Sequence, residues 1–291
     1  MAKGRTKGSL KQDHQTKLKH SRKELVLSVI VLSFDTKDLT LACLDSLFNK
    51  HPSFGWEVIV VDNASTDGSF TEIKKRFGRQ VKLIRTVRNI GFGPGNNLGV
   101  EEANGQYLLF LNSDTLVEPG SLDNLVEFAD QHPTYGIVAP QVLLKNKRFI
   151  QPASHGRLPT LWHLLTRNSG NKKSIPNKDL VVIDTEWVTG AALMIPTKLF
   201  IYLGGFDSRY FMYFEDQDLC ATVKNEGYDI GVVTKSKIIH LGGKSLVNKK
   251  KRYEYYDESQ TKFFLKHHGW LQTIILVVLR LPWQIIRNWT R

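Results

Sequence analysis

A chain of 291 residues with 41% hydrophobic and 10% aromatic residues can build one large domain or two small ones around a real core, which excludes overall disorder. The net charge of +12 sits at the ends: residues 1–23 hold eight Lys/Arg against one Asp, residues 244–291 hold ten against three acids, and the body between is slightly acidic. Basic ends point to an anionic partner, membrane or nucleic acid, but the body lacks a phosphate-tracking surface and no nucleic-acid motif accompanies the charge.

Only Cys43 and Cys220 are present, too few for a disulfide framework or a zinc site, so a reducing, cytoplasmic setting is expected. The polar, basic start does not read as a secretory signal, and no stretch reaches the roughly 18 apolar residues of a spanning helix. Residues 1–23, rich in Lys, Gly, Ser, Thr and Gln, are expected to form a disordered basic arm.

Taken in order, Leu25–Leu32 predicts a buried strand from its length and β-branched content. Asp38 is an expected helix N-cap, and Leu39, Leu41, Leu44 and Leu47 keep a helical stripe. Trp56–Val61 predicts the next strand, closing on Asp62 and Asn63, with a helix from about Gly68 to Phe77. Val81–Ile84 is a third strand. Asn89–Asn97 is a glycine-rich loop leading into a helix near 96–104. Tyr107–Asn112 is a continuous apolar run that ends abruptly in Asn112, Ser113 and Asp114, as a buried strand does when its carboxyl end carries polar work. Strand–helix alternation at this spacing predicts an α/β fold with a largely parallel sheet.

Ser121–Gln131 predicts a helix and Gly136–Ala139 a short strand. Residues 145–180, with Pro152, Pro159 and Pro176, read as a long irregular loop, of a kind that is usually functional or mobile. Trp187–Ile195 predicts one further strand, Gly204–Asp207 a tight turn, and Glu215 to about Gly227 a helix with acids in its first turn. Asp229–Val233 and Lys237–His240 read as edge strands, and residues 242–245 as a flexible loop. Arg252–His268 predicts another helix. Trp270–Trp289 is apolar but interrupted by Arg280, Pro282 and Arg287, so it cannot span; Trp and Arg together suit a helix lying on a membrane surface, with packing against the domain as the alternative.

Five polar clusters fall at strand ends or nearby loops: Ser33 and Asp35, Asp62 and Asn63, Asn89 to Asn97, Asn112 to Asp114, and Glu215 with Asp216. In an open α/β sheet, ligands sit beyond the carboxyl ends of the strands, so most of these can converge. Singly, each has a plain structural use as a cap, a turn or a dipole partner.

Together these segments resemble the family 2 glycosyltransferases. The matching pieces are Val29–Phe34, Val58–Ser69, Asn89–Asn97, Leu109–Asp114, Gly204–Asp207 and Phe214–Leu219, closest to the bacterial rhamnosyltransferase-like branch with its Asn-x-Asp strand end. The resemblance covers about residues 25–245. It implies the GT-A fold, a Rossmann-like, mixed but mostly parallel sheet flanked by helices. The organisation expected is a basic arm (1–23), a GT-A domain (24–248) and a C-terminal helical, membrane-surface segment (249–291).

The resemblance also implies roles. Asp62 would read the base or ribose, with Ser33, Asp35 and Asn63 beside it. Asn89, Gly91, Gly93, Gly95 and Asn97 would let the backbone approach the nucleotide sugar. Asn112 and Ser113 would shape the diphosphate site, and Asp114, with His240 as a second candidate, would hold Mg²⁺ or Mn²⁺ against the diphosphate. Asp216 would be the general base and Glu215 would orient it or the acceptor. Lys244, on a lid of residues 242–248, would reach the phosphates. The function implied is inverting, metal-dependent transfer of a sugar from dTDP-rhamnose or a UDP-sugar to a saccharide or lipid-linked acceptor, in cell-surface polysaccharide synthesis. Its setting would be cytoplasmic, peripheral at the inner face of the cell membrane, with no specific nucleic acid as partner. A nucleotide-sugar binder of the same fold without transferase activity, and a nucleic-acid binder acting through the basic ends, are the alternatives.

Overall fold

The computed structural model describes residues 25–146, 149–165, 181–242 and 249–289; the basic arm of residues 1–23 and Lys244 lie outside them. The first half alternates strands and helices, and its strands pair in parallel. It comprises β1 (Leu25–Ser33), α1 (Lys37–Phe48), β2 (Gly55–Asp62), α2 (Ser69–Phe77), β3 (Val81–Arg85), α3 (Phe92–Val100) and β4 (Tyr107–Asn112). Then follow β5 (Thr115–Val117), α4 (Ser121–Gln131), β6 (Tyr135–Leu144), β7 (His155–Gly156), α5 (Leu161–Leu165), β8 (Val182–Asp184), β9 (Trp187–Val188) and β10 (Ala192–Pro196). The chain continues through α6 (Thr197–Tyr202), α7 (Glu215–Asn225), β11 (Asp229–His240), α8 (Lys249–His267) and α9 (Gly269–Trp289).

The main sheet runs β3-β2-β1-β4-β10-β6-β11-β5, with β8 also on β11. Strands β1 to β4 are parallel, and β6 pairs parallel with β11. Only β10, β5 and β8 run against their neighbours. The alternation of side chains along each strand makes two cores. Leu27, Val29 and Val31 pack with α1, α2 and α4 on one face. Ile30, Ile59, Val61 and Phe110 pack on the other with Phe200, Phe206, Leu219 and Val223. Because the parallel strands share direction, β1, β2, β4 and β11 all deliver their carboxyl ends to one edge.

Several sequence expectations change. Asp38 does not cap α1: the N-cap residue is Thr36, and the Asp67 carboxylate accepts from the Lys37 N–H at 2.8 Å, so a distant loop satisfies that helix start. Helix α3 starts at Phe92, inside the glycine segment, because Gly91 breaks the backbone just before it. The run expected as one strand, 187–195, is broken at 189–191 into β9 and β10, where the Gly190 amide turns to donate to Asp216 Oδ2 at 2.8 Å. The two expected edge strands are one interior strand, β11. A register shift between Val233 and Lys237 absorbs the intervening polar residues, and β6 covers one side while β8 and β5 cover the other.

The C-terminal helices close the fold. On α8, Phe263 and Phe264 are fully buried with Tyr210, Phe214 and Leu276. Asp218, buried on α7, accepts from Lys266 Nζ and His267 Nε2, both at 2.7 Å, which pins α8 to α7. Arg280, expected to face a membrane, instead donates to the Asp257 carbonyl at 2.6 Å and to Thr261 Oγ1 at 2.8 Å, folding α9 back on α8.

Candidate active site

At the carboxyl edge of the sheet lies a cleft of about 740 Å³. Asp35, Asn63, Asn89, Gly91, Asn112, Ser113, Asp114 and His240 line it, so eight of the residues expected at a ligand site do converge. They arrive from the ends of β1, β2, β4 and β11 and from the loop before α3.

Each loop is fixed by polar contacts rather than by apolar packing. Asp35 accepts from the Thr66 N–H at 2.6 Å and the Asp67 N–H at 3.3 Å, joining the loop after β1 to that after β2. Asn63 is the fastener of the glycine loop: its Nδ2 donates to Asn89 Oδ1 and to the Gly91 carbonyl, and its Oδ1 accepts from the Ile90 N–H at 3.0 Å. Beneath the cleft a chain of hydroxyls links Ser33 to Thr40 (2.8 Å), Thr40 to Thr36 (3.1 Å) and Thr36 to Ser113 (2.9 Å). Ser33 is therefore floor, fully buried, and not lining.

Some expected binding residues do other work. Asn97 clamps the Phe206 backbone, accepting from its N–H at 2.9 Å and donating to its carbonyl at 2.7 Å. A Cβ on Gly93 would meet Phe206 at 3.0 Å and one on Gly95 would meet Leu32 at 2.6 Å, so both glycines serve the close approach of α3 to its neighbours and not to a ligand. Asp62 is fully buried, its carboxylate oxygens accept no hydrogen bond, and Arg85 Nε at 3.3 Å is its ion-pair partner. It lies one residue behind the cleft wall.

At one end of the cleft, β5 runs antiparallel to β11 with Thr115 opposite His240, which carries His240 to Asp114. His240 Nε2 lies 3.0 Å from Asp114 Oδ1, and its Nδ1 lies 2.6 Å from Gln151 Oε1. With the Nδ1–H donated to Gln151, the Nε2 lone pair and a carboxylate oxygen converge on one point, an arrangement that a cation between them reconciles. A hard oxygen and an imidazole are acceptable to Mg²⁺ or Mn²⁺ if a ligand supplies the remaining oxygens. Among the described residues no cluster of three or more His, Cys, Asp or Glu forms a metal cage.

Glu215 and Asp216 stand at the start of α7. Neither lines the cleft directly. A Cβ on Gly190 would touch both the Phe92 ring (3.2 Å), which lines the cleft, and Asp216 Cβ (3.6 Å), so Asp216 sits just behind Phe92. Burial pushes the Asp216 carboxyl up, and the N–H groups of Gly190 and Gln217 pull it partly back. Burial, reinforced by Asp216, pushes Glu215 well above the usual carboxylate range, and its Oε2 has no hydrogen-bond partner. Two perturbed carboxylates at a cleft mark a candidate acid–base site. The backbone agrees: Asp35, Ala64, Tyr213 and Phe214 take positive φ (50°, 66°, 69° and 66°) and border these loops. Such strain persists where the surroundings over-determine it, commonly at active sites.

The family model "Glycosyl transferase family 2" matches residues 28–191, more than half of the chain. The chain belongs to that family. It is a glycosyltransferase, and its architecture is the GT-A fold. The transferase is 25% identical over 248 residues to an N-acetylglucosaminyl-diphospho-decaprenol L-rhamnosyltransferase of Mycobacterium tuberculosis, covering 77% of this chain and 79% of the relative. It is 24% identical over 272 residues to the low-salt glycan biosynthesis hexosyltransferase Agl10 of Haloferax volcanii, covering 90% and 84%. Among solved structures, GalNAc-T7 with UDP, GalNAc and Mn²⁺ superimposes with a TM-score of 0.63 at 16% identity, over 84% of this chain and 48% of that one. This transferase thus spans about half the length of that neighbour.

Eight lining residues of the transferase were not among those expected: Leu32, Phe34, Thr36 and Phe92 adjoin expected ones, whereas Phe211, Met212, Lys251 and Tyr255 come from distant segments. Lys251 belongs to a basic run that reads as surface charge; it stays exposed, and only the docking of α8 brings it to the rim of the cleft. Tyr255 reaches the cleft beside Phe211, ring centroids 4.7 Å apart. Gln151 lay in the unread stretch 145–180 and carries no local signal.

Gly91 is where the glycine loop needs glycine. Its φ of 96° and ψ of 176° lie in a region essentially closed to other residues, and a Cβ there would sit 2.5 Å from the Phe211 carbonyl oxygen. Gly91→Ala is expected to destabilise the transferase by about 1–3 kcal/mol, read as a fall of several degrees in Tm, and to weaken nucleotide binding, since the loop shapes the cleft.

Proposed function

We propose that this glycosyltransferase moves a sugar, with inversion, from a nucleoside-diphosphate donor to a saccharide or lipid-linked acceptor in cell-surface polysaccharide synthesis. The observation that carries the reading is one cleft that gathers Asp35, Asn63, Asn89, Asn112, Asp114 and His240, with the half-buried Asp216 just behind its Phe92 wall. Asp35, Asp62 and Asn63 would sit at the nucleotide, and Asn89, Gly91, Asn112 and Ser113 along the diphosphate. Asp114 and His240 would hold Mg²⁺ or Mn²⁺, and a divalent ion there supplies charge neutralisation to the departing nucleoside diphosphate. The GalNAc-T7 complex holds UDP and Mn²⁺ together, which supports a cation of this kind.

In the transfer step an acceptor hydroxyl oxygen forms a bond to the anomeric carbon while the bond from that carbon to the diphosphate oxygen breaks. Asp216 takes the hydroxyl proton, and the electron pair leaves with the nucleoside diphosphate. One displacement from the side opposite the leaving group inverts the anomeric carbon. Glu215, beside Asp216, would orient the acceptor or the base. The rhamnosyltransferase relative supports dTDP-rhamnose as the first donor to test and a lipid-diphosphate saccharide as the acceptor, with UDP-sugars next. A thermal-shift screen of dTDP-rhamnose and UDP-sugars with Mn²⁺ and Mg²⁺ tests the reading, because a bound donor raises stability by mass action. A cation-dependent rise in Tm followed by nucleoside-diphosphate release with acceptor is expected; no shift and no release with any donor would overturn it.

A peripheral seat at the inner face of the cell membrane is part of the proposal. No helix among the described residues is long and apolar enough to cross a membrane. Helix α9 nevertheless exposes Trp270, Leu271, Ile274, Ile275, Val278 and Leu279 in one stripe, with Trp270 67% and Val278 57% exposed. That stripe suits the headgroup boundary of a bilayer, and the exposed Lys250 and Arg252 at the start of α8 suit anionic lipid. The pair Ile274→Glu and Val278→Glu is expected to abolish co-sedimentation with phosphatidylglycerol vesicles without lowering Tm. An unchanged pelleted fraction would remove the membrane from the proposal.

A further inference from the structure

We propose that Gln151 is a positioning residue: it orients the His240 imidazole so that Nε2, and not Nδ1, is offered to the cation beside Asp114. The inference rests on the reading that Asp114 and His240 hold that ion. Its basis is the pair of short contacts on one ring. Gln151 Oε1 lies 2.6 Å from His240 Nδ1, and Asp114 Oδ1 lies 3.0 Å from His240 Nε2. A carbonyl oxygen can only accept, so the Nδ1 nitrogen facing it carries the hydrogen and donates. A neutral imidazole then has its lone pair on Nε2, directed at Asp114. A ring held this way needs no rearrangement to become a ligand.

Gln151 is itself held in place. Its backbone N–H donates to the Val142 carbonyl at 2.9 Å, and the neighbouring Ile150 bridges Leu143 on the outer end of β6. The Leu144 N–H also donates to the Phe149 carbonyl at 2.9 Å. The segment thus returns along β6 as a short ladder, and β6 is the strand that pairs with β11, where His240 is the last residue. The orienting oxygen and the ring it orients are therefore registered through adjacent strands of one sheet. Partners of this kind to a metal-binding histidine commonly govern affinity by about 10–100-fold. A merely structural role, sealing the end of β11, would affect stability but not the ion.

The test uses full-length protein, Mn²⁺ and UDP. Free Mn²⁺ is counted by electron paramagnetic resonance, and nitrogen coupling to bound Mn²⁺ is read by pulsed methods. The variants are Gln151→Met, which keeps length and loses the accepting oxygen, and Gln151→Glu, which keeps an accepting oxygen. Gln151→Met is expected to weaken Mn²⁺ binding about 10–100-fold and to reduce the nitrogen coupling, whereas Gln151→Glu keeps both near the wild-type level. If Gln151→Met lowers Tm, Gln151→Glu at equal temperature below both transitions remains the comparison. Wild-type affinity and coupling in folded Gln151→Met would overturn the inference and leave the cation reading intact. Absence of nitrogen coupling in the wild type, with Mn²⁺ bound, would overturn the role of His240 and with it that of Gln151. No Mn²⁺ binding by the wild type would overturn the cation reading itself.

Discussion

Asp216→Asn is expected to lower kcat for sugar transfer by about 10²–10⁴-fold, the range for loss of a general base, while donor affinity stays unchanged. The substitution is nearly isosteric. The amide can still accept from the Gly190 N–H, so the break between β9 and β10 that brings Gly190 to Asp216 should survive. What is lost is the ability to take a proton. In the proposed reading, donor binding relies on the Asp114–His240 corner and the glycine loop and not on Asp216, so a thermal shift with donor and Mn²⁺ should match the wild type.

The pH dependence carries the sign of the same burial. Burial raises the Asp216 carboxyl, so its protonated form persists to higher pH than that of a free aspartate. Activity should therefore fall as pH drops through that raised value, earlier than an exposed carboxylate would allow. Glu215, raised further, bears on stability. Its protonated form is favoured in the folded state, so its contribution is most favourable at low pH and is lost as pH rises through its folded value. Glu215→Gln removes the cost of burying this carboxyl, which ionises freely only when unfolded, and is expected to raise Tm at neutral pH while lowering kcat, measured by calorimetry and by product release. A kcat within twofold of wild type for Asp216→Asn would end its assignment as the base.

The second large effect is expected from Asp114→Asn. Removing the carboxylate from the Asp114–His240 corner should abolish the part of donor binding that depends on Mn²⁺ and cut kcat/KM by about 10³-fold, the equivalent of several kcal/mol of lost charge stabilisation. The fold should be little affected. Asp114 makes its backbone contact through the carbonyl, which accepts from the Leu241 N–H at 2.9 Å and is untouched by the change. The diagnostic measurement is a donor titration with and without Mn²⁺. In wild-type protein at a donor concentration of 100 times Kd, binding adds about 2.7 kcal/mol, and in Asp114→Asn the cation should add nothing further. An Mn²⁺-dependent shift that survives in the variant would place the ion elsewhere.

Most of the elements could be read from the chain because their signals are local. Leu25–Leu32 and Tyr107–Asn112 are long, apolar and bounded by polar residues, and each is a strand over nearly the expected range. Ser121–Gln131 has its apolar residues at helical spacing and forms α4 with those boundaries. The misreadings arose where a distant group decides the outcome. Asp67, 30 residues away, satisfies the start of α1 in place of Asp38. Asp216 draws the Gly190 amide out of what reads as a continuous strand. A bulge joins 229–233 to 237–240, and whether a strand is interior depends on which neighbours flank it.

The site divides the same way. The sequence by itself determined that polar residues end the apolar strands, and parallel direction forces those ends to one edge. That is why Asp35, Asn63, Asn112 and Asp114 come together at one cleft. It also determined that 270–289 is apolar, but which of its positions stay exposed was settled by the packing of α9 on α8. Only the tertiary structure decided the rest. It turned Asn97, Gly93 and Gly95 to packing duty, tucked Asp62 behind the wall beside Arg85, and used Arg280 between helices. It also set Gln151 against His240 across 89 positions of chain and brought Lys251 and Tyr255 into the cleft by docking α8. The physical reason is range. Periodicity and strand ends are written in neighbouring residues, whereas the partner of a side chain is chosen by the packing of segments far apart in sequence.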